Sequence, residues 1–255
     1  MKAKLIALLL LAASSLPAAA LTILTEDWPP VSFANHKGQA DGMAVAVVRL
    51  LQERLKDNTP IQVQPWARAY NSLLNEKDVM LFTVGRSAER ERLMTLLGPI
   101  LVSSTDVFAL KQYADSVRKL PPGAMQQLPT AAYRGSIFES TAKLKGFQVF
   151  ATTDPAHSAR MLVAGRVKLW VEGNVVVGNV LREQGLPPAT VERVATLDKL
   201  SLYLAFSPNV PRDTILRWEK ALTEIKQDGS FAAIHQHWFP LDPVPLQVER
   251  LGIQR

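Results

Sequence analysis

Apolar and polar positions along the chain follow two alternating periods. Short apolar or alternating runs read as strands: Leu21 to Thr25 (LTILT), Ile61 to Gln64, Val79 to Val84, Asp106 to Leu110 (DVFAL), Thr130 to Tyr133, Phe147 to Ala151 (FQVFA), Val167 to Val171 (VKLWV) and Ser201 to Phe206 (SLYLAF). Helical periods lie between them. Met43, Val47, Leu51 and Leu55 fall at four-residue steps in a helix from Met43 to Lys56, with Arg49, Glu53 and Arg54 on its polar side. Further helices are predicted from Pro65 to about Leu74, from Gly135-Ser136 to near Gly146, from Asp154-Pro155 to Gly165, and from Asn174 to Gln184. Ile215, Trp218, Leu222 and Ile225 mark a helix from Pro211 to Asp228 that Gly229 closes. Ser230 then caps a last helix carrying Phe231, Ile234 and Trp238, and Pro240 to Arg255 reads as an extended surface tail. The order β-α-β-α-β occurs twice, which predicts an α/β fold of two similar lobes with mostly parallel sheets.

The turns between these elements carry the candidate chemistry. Trp28 stands in a loop stiffened by Pro29 and Pro30, where it serves either as a core plug or as a flat wall for a ligand. The stretch Leu81 to Leu101 starts apolar, turns at Gly85, gathers Arg86, Glu89, Arg90, Glu91 and Arg92, and stops at Gly98-Pro99. Ser87 is placed to cap the helix that follows. A strand ending at a helix start presents free N–H groups, and an arginine there adds a fork of donors suited to a carboxylate.

Charge and composition narrow the setting. The chain has 255 residues, 47% hydrophobic and 20% charged, as a globular protein would. The formal charge of +6 is spread along the chain, and no basic run marks a nucleic-acid arm. There is no cysteine, which excludes disulfides, thiol catalysis, thiolate metal sites and a lipidated cysteine. Met1-Lys2-Ala3-Lys4, the apolar run Leu5 to Ala13, the break at Leu16-Pro17 and Ala18-Ala19-Ala20 form a secretory leader, with cleavage expected after Ala20. Losing Lys2 and Lys4 lowers the formal charge from +6 to +4. The mature chain is expected to be periplasmic.

The motifs TEDWPPVSF with a following DGM, then PWARA, GRSAERERL with its GP, AHSARMLVAGRVKLWV, and LRWEKALTEIKQDGSFAAIHQHWF occur in that order over nearly all of the mature chain. In order and spacing it resembles the type II periplasmic solute-binding proteins of the amino-acid-binding group, extracellular family 3. The resemblance implies two α/β lobes joined by hinge strands near Ala109 to Lys111 and Thr196 to Ser201, closing on a small polar ligand. Residues 21–109 and 202–255 would form one lobe and 110–201 the other. Ser87-Ala88-Glu89-Arg90 matches the family pattern whose arginine holds the ligand α-carboxylate. Trp28 matches the aromatic that stacks on the ligand, and Glu26 lies in the same loop. Thr83 and Gly85 would face the cleft, Gly135 and Ser136 would offer N–H groups from the second lobe, and Trp66 and Arg68 of PWARA complete the candidate set. The implied partners are a small carboxylate-bearing ligand and an inner-membrane ABC permease or sensor; no cofactor and no nucleic acid is expected, and the chain is expected to be a monomer.

One position departs from the pattern. Where the family places an aspartate for the ligand ammonium, this chain has Gly173, and Glu172 is one residue earlier, on the opposite face of an ideal strand. Either a bulge restores Glu172 to the site or the ligand differs; Lys168 also replaces a common aspartate. His235 and His237 are too close in sequence to share a helix face, so they make a poor metal pair. Nucleophile-elbow, phosphate-loop and zinc-protease motifs are missing. Two alternatives remain: a periplasmic sensor, or a dehydratase or lyase using Glu172 or Glu26 as its acid.

Overall fold

The computed structural model describes residues 21–255, so the leader at residues 1–20 lies outside the described residues. The chain runs through strand β1 (Thr22–Thr25), the paired two-residue strands β2 (Phe33–Ala34) and β3 (Ala40–Asp41), helix α1 (Met43–Leu55), β4 (Ile61–Val63), α2 (Trp66–Asn75), β5 (Val79–Gly85), the short α3 (Ala88–Leu93) and the long β6 (Thr95–Leu110). It continues through α4 (Lys111–Arg118), β7 (Thr130–Tyr133), α5 (Ile137–Leu144), β8 (Val149–Thr152), α6 (Pro155–Val163), β9 (Leu169–Gly173), α7 (Asn174–Glu183), the long β10 (Val191–Phe206), α8 (Arg212–Gln227), α9 (Ser230–Trp238) and β11 (Glu249–Gly252).

Each half is built on a parallel trio. β1 pairs in parallel with β4 and β5, and β7 pairs in parallel with β8 and β9. The trios are joined because β6 and β10, 16 residues each, pair antiparallel along most of their length. β10 meets β5 over Leu202 to Phe206, and β6 meets β9 over Thr105 to Phe108. The sheet order is therefore β4-β1-β5-β10-β6-β9-β7-β8, with β11 beside β6. β6 has joined the second trio by Thr105, several residues before the hinge expected near Ala109 to Lys111.

The apparent stop at Gly98-Pro99 lies inside β6. Leu97 pairs with Leu204 of β10 and Leu101 with Leu202, so extra residues of β6 bulge out opposite Tyr203. A bulge frees the ladder from needing the N–H that Pro99 lacks. Gly98 fits there because a Cβ would stand 2.8 Å from the Tyr203 ring. The C-terminal segment also differs from the expected surface tail. β11 pairs with Thr95 to Gly98 of β6, and buried Lys226 donates to the carbonyls of Pro99 and Gln247, each at 2.7 Å.

The helices follow the apolar periods. Ile215, Trp218, Leu222 and Ile225 of α8 are all buried, as are Met43, Val47 and Leu51 of α1, and α1 packs against α8 and α9. Burying side chains of this size contributes about 1.5–3 kcal/mol each. Asp154 caps α6 by accepting from the His157 amide at 2.6 Å. Ser230 is the first residue of α9 rather than its cap; Gly229, at φ 84°, takes that position. α4 has only two buried residues, Ala114 and Val117, and so little apolar period to announce it.

Candidate functional site

The first half builds its side of the cleft at the end of β5. Tyr203 and Leu204 of β10 pair with Val84 and Phe82, which leaves Thr83 between them unpaired. Thr83 takes φ 70°, a conformation that costs a threonine free energy and turns its backbone out of the ladder. Its hydroxyl donates to the Phe82 carbonyl. Gly85 ends the strand, and Ser87 caps α3 by accepting from the Arg90 amide at 3.2 Å. The cap sets Arg90 in the first turn with its side chain inward: it is 5% exposed, and its guanidinium donates to the Gly85 carbonyl at 2.8 Å and the Gly135 carbonyl at 3.4 Å.

α2 supplies an aromatic wall. Trp66 and Tyr70, one turn apart, stack with centroids 5.1 Å apart. The Arg90 guanidinium lies over both rings, at 5.1 and 5.2 Å, a favourable cation–π arrangement. Burial lowers the Arg90 pKa, and Tyr70 and Glu26 oppose that shift. Arg68 does not join the cleft. It lies two residues past buried Trp66, a turn of about 200° on a helix, and is exposed.

The second half answers with β7 and α5. Ser136 caps α5 by accepting from the Glu139 amide at 3.2 Å, and the Glu139 carboxylate accepts from the Gly135 amide at 2.5 Å. The carboxylate reaches the residue before the cap, a variant of the capping box, and it changes the expected role of Gly135. Its N–H is taken by Glu139, and the Ser136 N–H donates to the Tyr133 carbonyl. What Gly135 turns to the first half is its carbonyl, which accepts from Trp66 Nε1 at 2.9 Å as well as from Arg90.

Between the halves a cavity of about 20 Å³ remains, lined by Glu26, Trp28, Trp66, Thr83, Gly85, Arg90, Tyr133, Ser136, Ile137, Phe138 and Leu202. That is room for about one water molecule. α5 fills the rest. A Cβ on Gly85 would stand 3.0 Å from the Ile137 side chain, and the Phe138 ring lies 5.7 Å from the Trp28 ring, tilted by 31°. A larger apolar cavity of about 240 Å³, with Leu110, Tyr113, Leu162 and Lys168 in its wall, shares no residue with the cleft.

Two buried acids lie in or near this region, Glu26 in the cavity wall and Glu172 outside it. Glu26 is 7% exposed and Glu172 is fully buried, and the Oε2 atom of each has no hydrogen-bond partner among the described residues. Burial pushes Glu26 up to about 8, against the pull of Arg90 and the Tyr133 hydroxyl. Burial also pushes Glu172 up to about 8; the Gly173 amide opposes the shift and Glu26 adds to it. Both carboxyls hold their protons at neutral pH. β9 pairs with β6 without a register shift through Thr105–Gly173, so no bulge carries Glu172 to the other face. The glycine at 173 has a steric cause: a Cβ there would meet Trp28 at 2.9 Å and Phe138 at 3.1 Å.

Eight of the sequence-identified residues therefore gather at the interface of the halves; Glu172 is buried beside Trp28 outside the cavity lining, and Arg68 stands exposed. Tyr70, Tyr133, Ile137, Phe138 and Leu202 were missed. The signal for most of them was the second strand–Gly–Ser–helix turn, YRGSIFE, which mirrors VGRSAER. His235 is buried and His237 exposed, as their spacing requires. Among the described residues no helix is long and apolar enough to cross a membrane, and no group of three or more His, Asp and Glu side chains gathers for a metal.

Solved structures share this fold at low identity. A histidine kinase sensor domain similar to periplasmic binding proteins aligns with TM-score 0.75 and 21% identity, covering 88% of this chain and 99% of that one. An ancestral arginine-binding protein bound to arginine aligns with TM-score 0.74 and 18% identity, covering 87% and 99%. A periplasmic His/Glu/Gln/Arg/opine family-binding protein from Silicibacter pomeroyi in complex with lysine aligns with TM-score 0.72 and 14% identity, covering 88% and 99%. No curated protein matches the sequence. The family model described as bacterial extracellular solute-binding proteins, family 3, matches residues 21–241, almost the whole described chain, and the protein belongs to that family.

Proposed function

We propose that the protein captures a small polar ligand with a carboxylate, an amino acid or close analogue, between its two halves, and that Arg90 anchors the carboxylate. The observation that carries this reading is the state of Arg90. It is buried, yet among the described residues it forms no ion pair and meets only carbonyls and aromatic faces. A buried guanidinium bonded to neutral acceptors is poised for a carboxylate that arrives with a ligand, because a bidentate ion pair is stronger than the carbonyl contacts it replaces. Trp28, Trp66, Thr83, Gly85 and Glu26 would line the ligand from the first half, Ser136 and Phe138 from the second.

Opening must precede binding. The contacts of Gly135 with Trp66 and Arg90, and of Ile137 with Gly85, bridge the halves and would part together. The sheet pairing supports a hinge where β6 and β10 pass between the trios, at Val102 to Ser104 opposite Lys199 to Ser201. We place the lobe boundary there. The basic, apolar and small-residue pattern of the first 20 residues and the extracellular family support export to the periplasm. An ABC permease is the partner this family reading favours; likeness to a kinase sensor domain supports a membrane sensor as the second reading.

A thermal-shift screen with amino acids, their deaminated analogues and dicarboxylates tests the reading. A ligand at 100 times its dissociation constant should stabilise the protein by about 2.7 kcal/mol. Arg90→Lys, which keeps the charge and loses the fork, should abolish most of the shift. An unchanged shift in that variant would remove Arg90 as the carboxylate anchor.

A further inference from the structure

We infer that the larger cavity, on the second half and away from the cleft, binds one small organic anion with an apolar body, the chemistry of a medium-chain carboxylate, and that Lys168 meets the anionic group at its rim. The inference goes beyond the cleft and does not depend on what the cleft binds.

The cavity of about 240 Å³ lies where β6 gives way to α4. Its lining includes Leu110 at the end of β6, Tyr113 and Val117 one turn apart on α4, Leu128 before β7 and Leu162 of α6. Val117 and Leu162 are buried, whereas the lining residues Tyr113 and Leu120 leave large apolar side chains exposed. Besides the Tyr113 hydroxyl, two polar side chains belong to the lining, those of Ser116 and Lys168. The Ser116 hydroxyl already donates to the Tyr113 carbonyl at 2.7 Å, so it asks nothing of an occupant. Lys168 differs. Its backbone is fixed, because its N–H donates to the Pro129 carbonyl at 2.8 Å. Its ammonium lies 5.8 Å from the centre of the Tyr113 ring and, among the described residues, forms no ion pair.

The charge left over beside the cavity is positive. Asp115 of α4 and Glu192 of β10 are both held by Arg118, at 2.9 and 3.0 Å. Arg166, exposed between the lining residues Gly165 and Val167, has no acid partner among the described residues. Apolar walls give water too few partners and favour an apolar occupant. An apolar cavity of about 150 Å³ accepts benzene, so this one takes a body of up to about ten carbon atoms. The rim then selects by charge. An anion pairs with Lys168, an amine meets two like charges, and a zwitterion finds no acid for its ammonium in the lining. The ligand class is therefore distinct from that of the cleft, with which the cavity shares no residue.

Equilibrium dialysis of the purified protein against butyrate, hexanoate, octanoate and decanoate tests this. Affinity should rise about fourfold per added methylene, with one molecule bound per chain. Octanol should bind more weakly than octanoate, and octylamine more weakly still. Lys168→Gln should weaken octanoate about two- to fivefold and leave octanol unchanged, which a loss of packing would not do. Ser116→Trp, which adds bulk to the lining from an exposed position, should abolish octanoate binding while the ligand-free protein melts like the parent. Arg90→Lys should leave octanoate binding unchanged. Octanoate binding that exceeds one per chain, that octylamine matches, that Lys168→Gln does not weaken or that Arg90→Lys abolishes overturns the inference. No retention of octanoate or decanoate by the parent protein overturns it as well, and leaves the reading of the cleft intact.

Discussion

The two helix starts that face each other across the cleft obey one design and end differently. In each, a strand runs into a glycine-containing turn, a serine caps the helix, and its hydroxyl accepts from the third helical residue at 3.2 Å. In α5 that residue is Glu139, which folds back to the Gly135 amide, so the cap satisfies itself. In α3 it is Arg90. A cation is unfavourable in a first turn, where the helix dipole favours an anion, and its side chain leaves the cap for the cleft. The start that follows the rule satisfies its own amides; the start that breaks it sends a buried cation into the cleft, where we propose that it meets the ligand. A local violation retained in an otherwise consistent fold is where function is expected.

The strongest way to break this contrast is to make the first start resemble the second. Arg90→Glu should eliminate ligand-induced stabilisation, about 2.7 kcal/mol at 100 times the dissociation constant. It should also destabilise the empty protein, because it replaces a buried cation with a third acid beside Glu26. The new glutamate would gain no counterpart of the Glu139–Gly135 bond, since the equivalent amide, that of Arg86, already donates to the Ser201 carbonyl at 3.0 Å. Denaturant melts with and without ligand check both parts. A variant that melts like the parent and still shifts with ligand would sever Arg90 from the site.

The acids behind the two starts give the next effect. Their pKa values in the folded protein are raised to about 8, well above about 4.3 for an unfolded glutamate. The folded state therefore binds more protons between those values, and the ligand-free protein loses stability as pH rises through that range, by up to about 1.4 kcal/mol per unit for each group. Lys226 works in the opposite direction: burial lowers it to about 7, so its contribution rises with pH above that value. The difference between parent and Glu172→Gln isolates the acid. Melting temperatures should converge toward pH 5 and diverge by pH 8, with the parent the less stable; parallel curves would refute the buried proton.

How much of this was legible in the sequence follows the same division. Helices α1, α2 and α8 and the parallel trios were readable because burial imposes a period on their side chains. The full length of β6 and β10 was not. Gly98-Pro99 signals a stop, and only the bulge opposite Tyr203 makes the pair compatible with a strand. The early part of β10 mixes partly buried and exposed positions between buried Val191 and Leu200 and gives no apolar run. In the cavity wall, Arg90 and Trp28 were anticipated through motifs. The role of Gly135 was misassigned because spacing shows a helix start but not whether Glu139 claims its amide. Ile137 and Phe138 were missed because nothing local distinguishes an apolar first turn that packs on its own helix from one that fills the opposite half of the molecule.

The smallest effects test whether the two caps are equivalent at all. Ser87→Ala and Ser136→Ala should each destabilise by about 1 kcal/mol, Ser136→Ala somewhat more because its hydroxyl also donates to the Tyr133 carbonyl. Only Ser87→Ala should weaken ligand binding strongly, since that hydroxyl holds the turn that aims Arg90. Glu139→Gln keeps an acceptor for the Gly135 amide and loses the ion pair with Lys143, itself largely exposed, so it should destabilise by only a few tenths of a kcal/mol. Its pH dependence is the sharper readout. Partial burial works to raise the Glu139 pKa, but Lys143 and the Gly135 amide outweigh it and hold the carboxyl below its usual value. Its contribution is thus present above about pH 4.3 and lost as pH falls through the lowered folded value. Parent and variant should differ at pH 6 and converge as pH falls through the lowered folded value. A difference that persists in acid would mean that Glu139 acts by packing rather than by charge, and the self-satisfied cap would then differ from the ligand-facing one in shape alone.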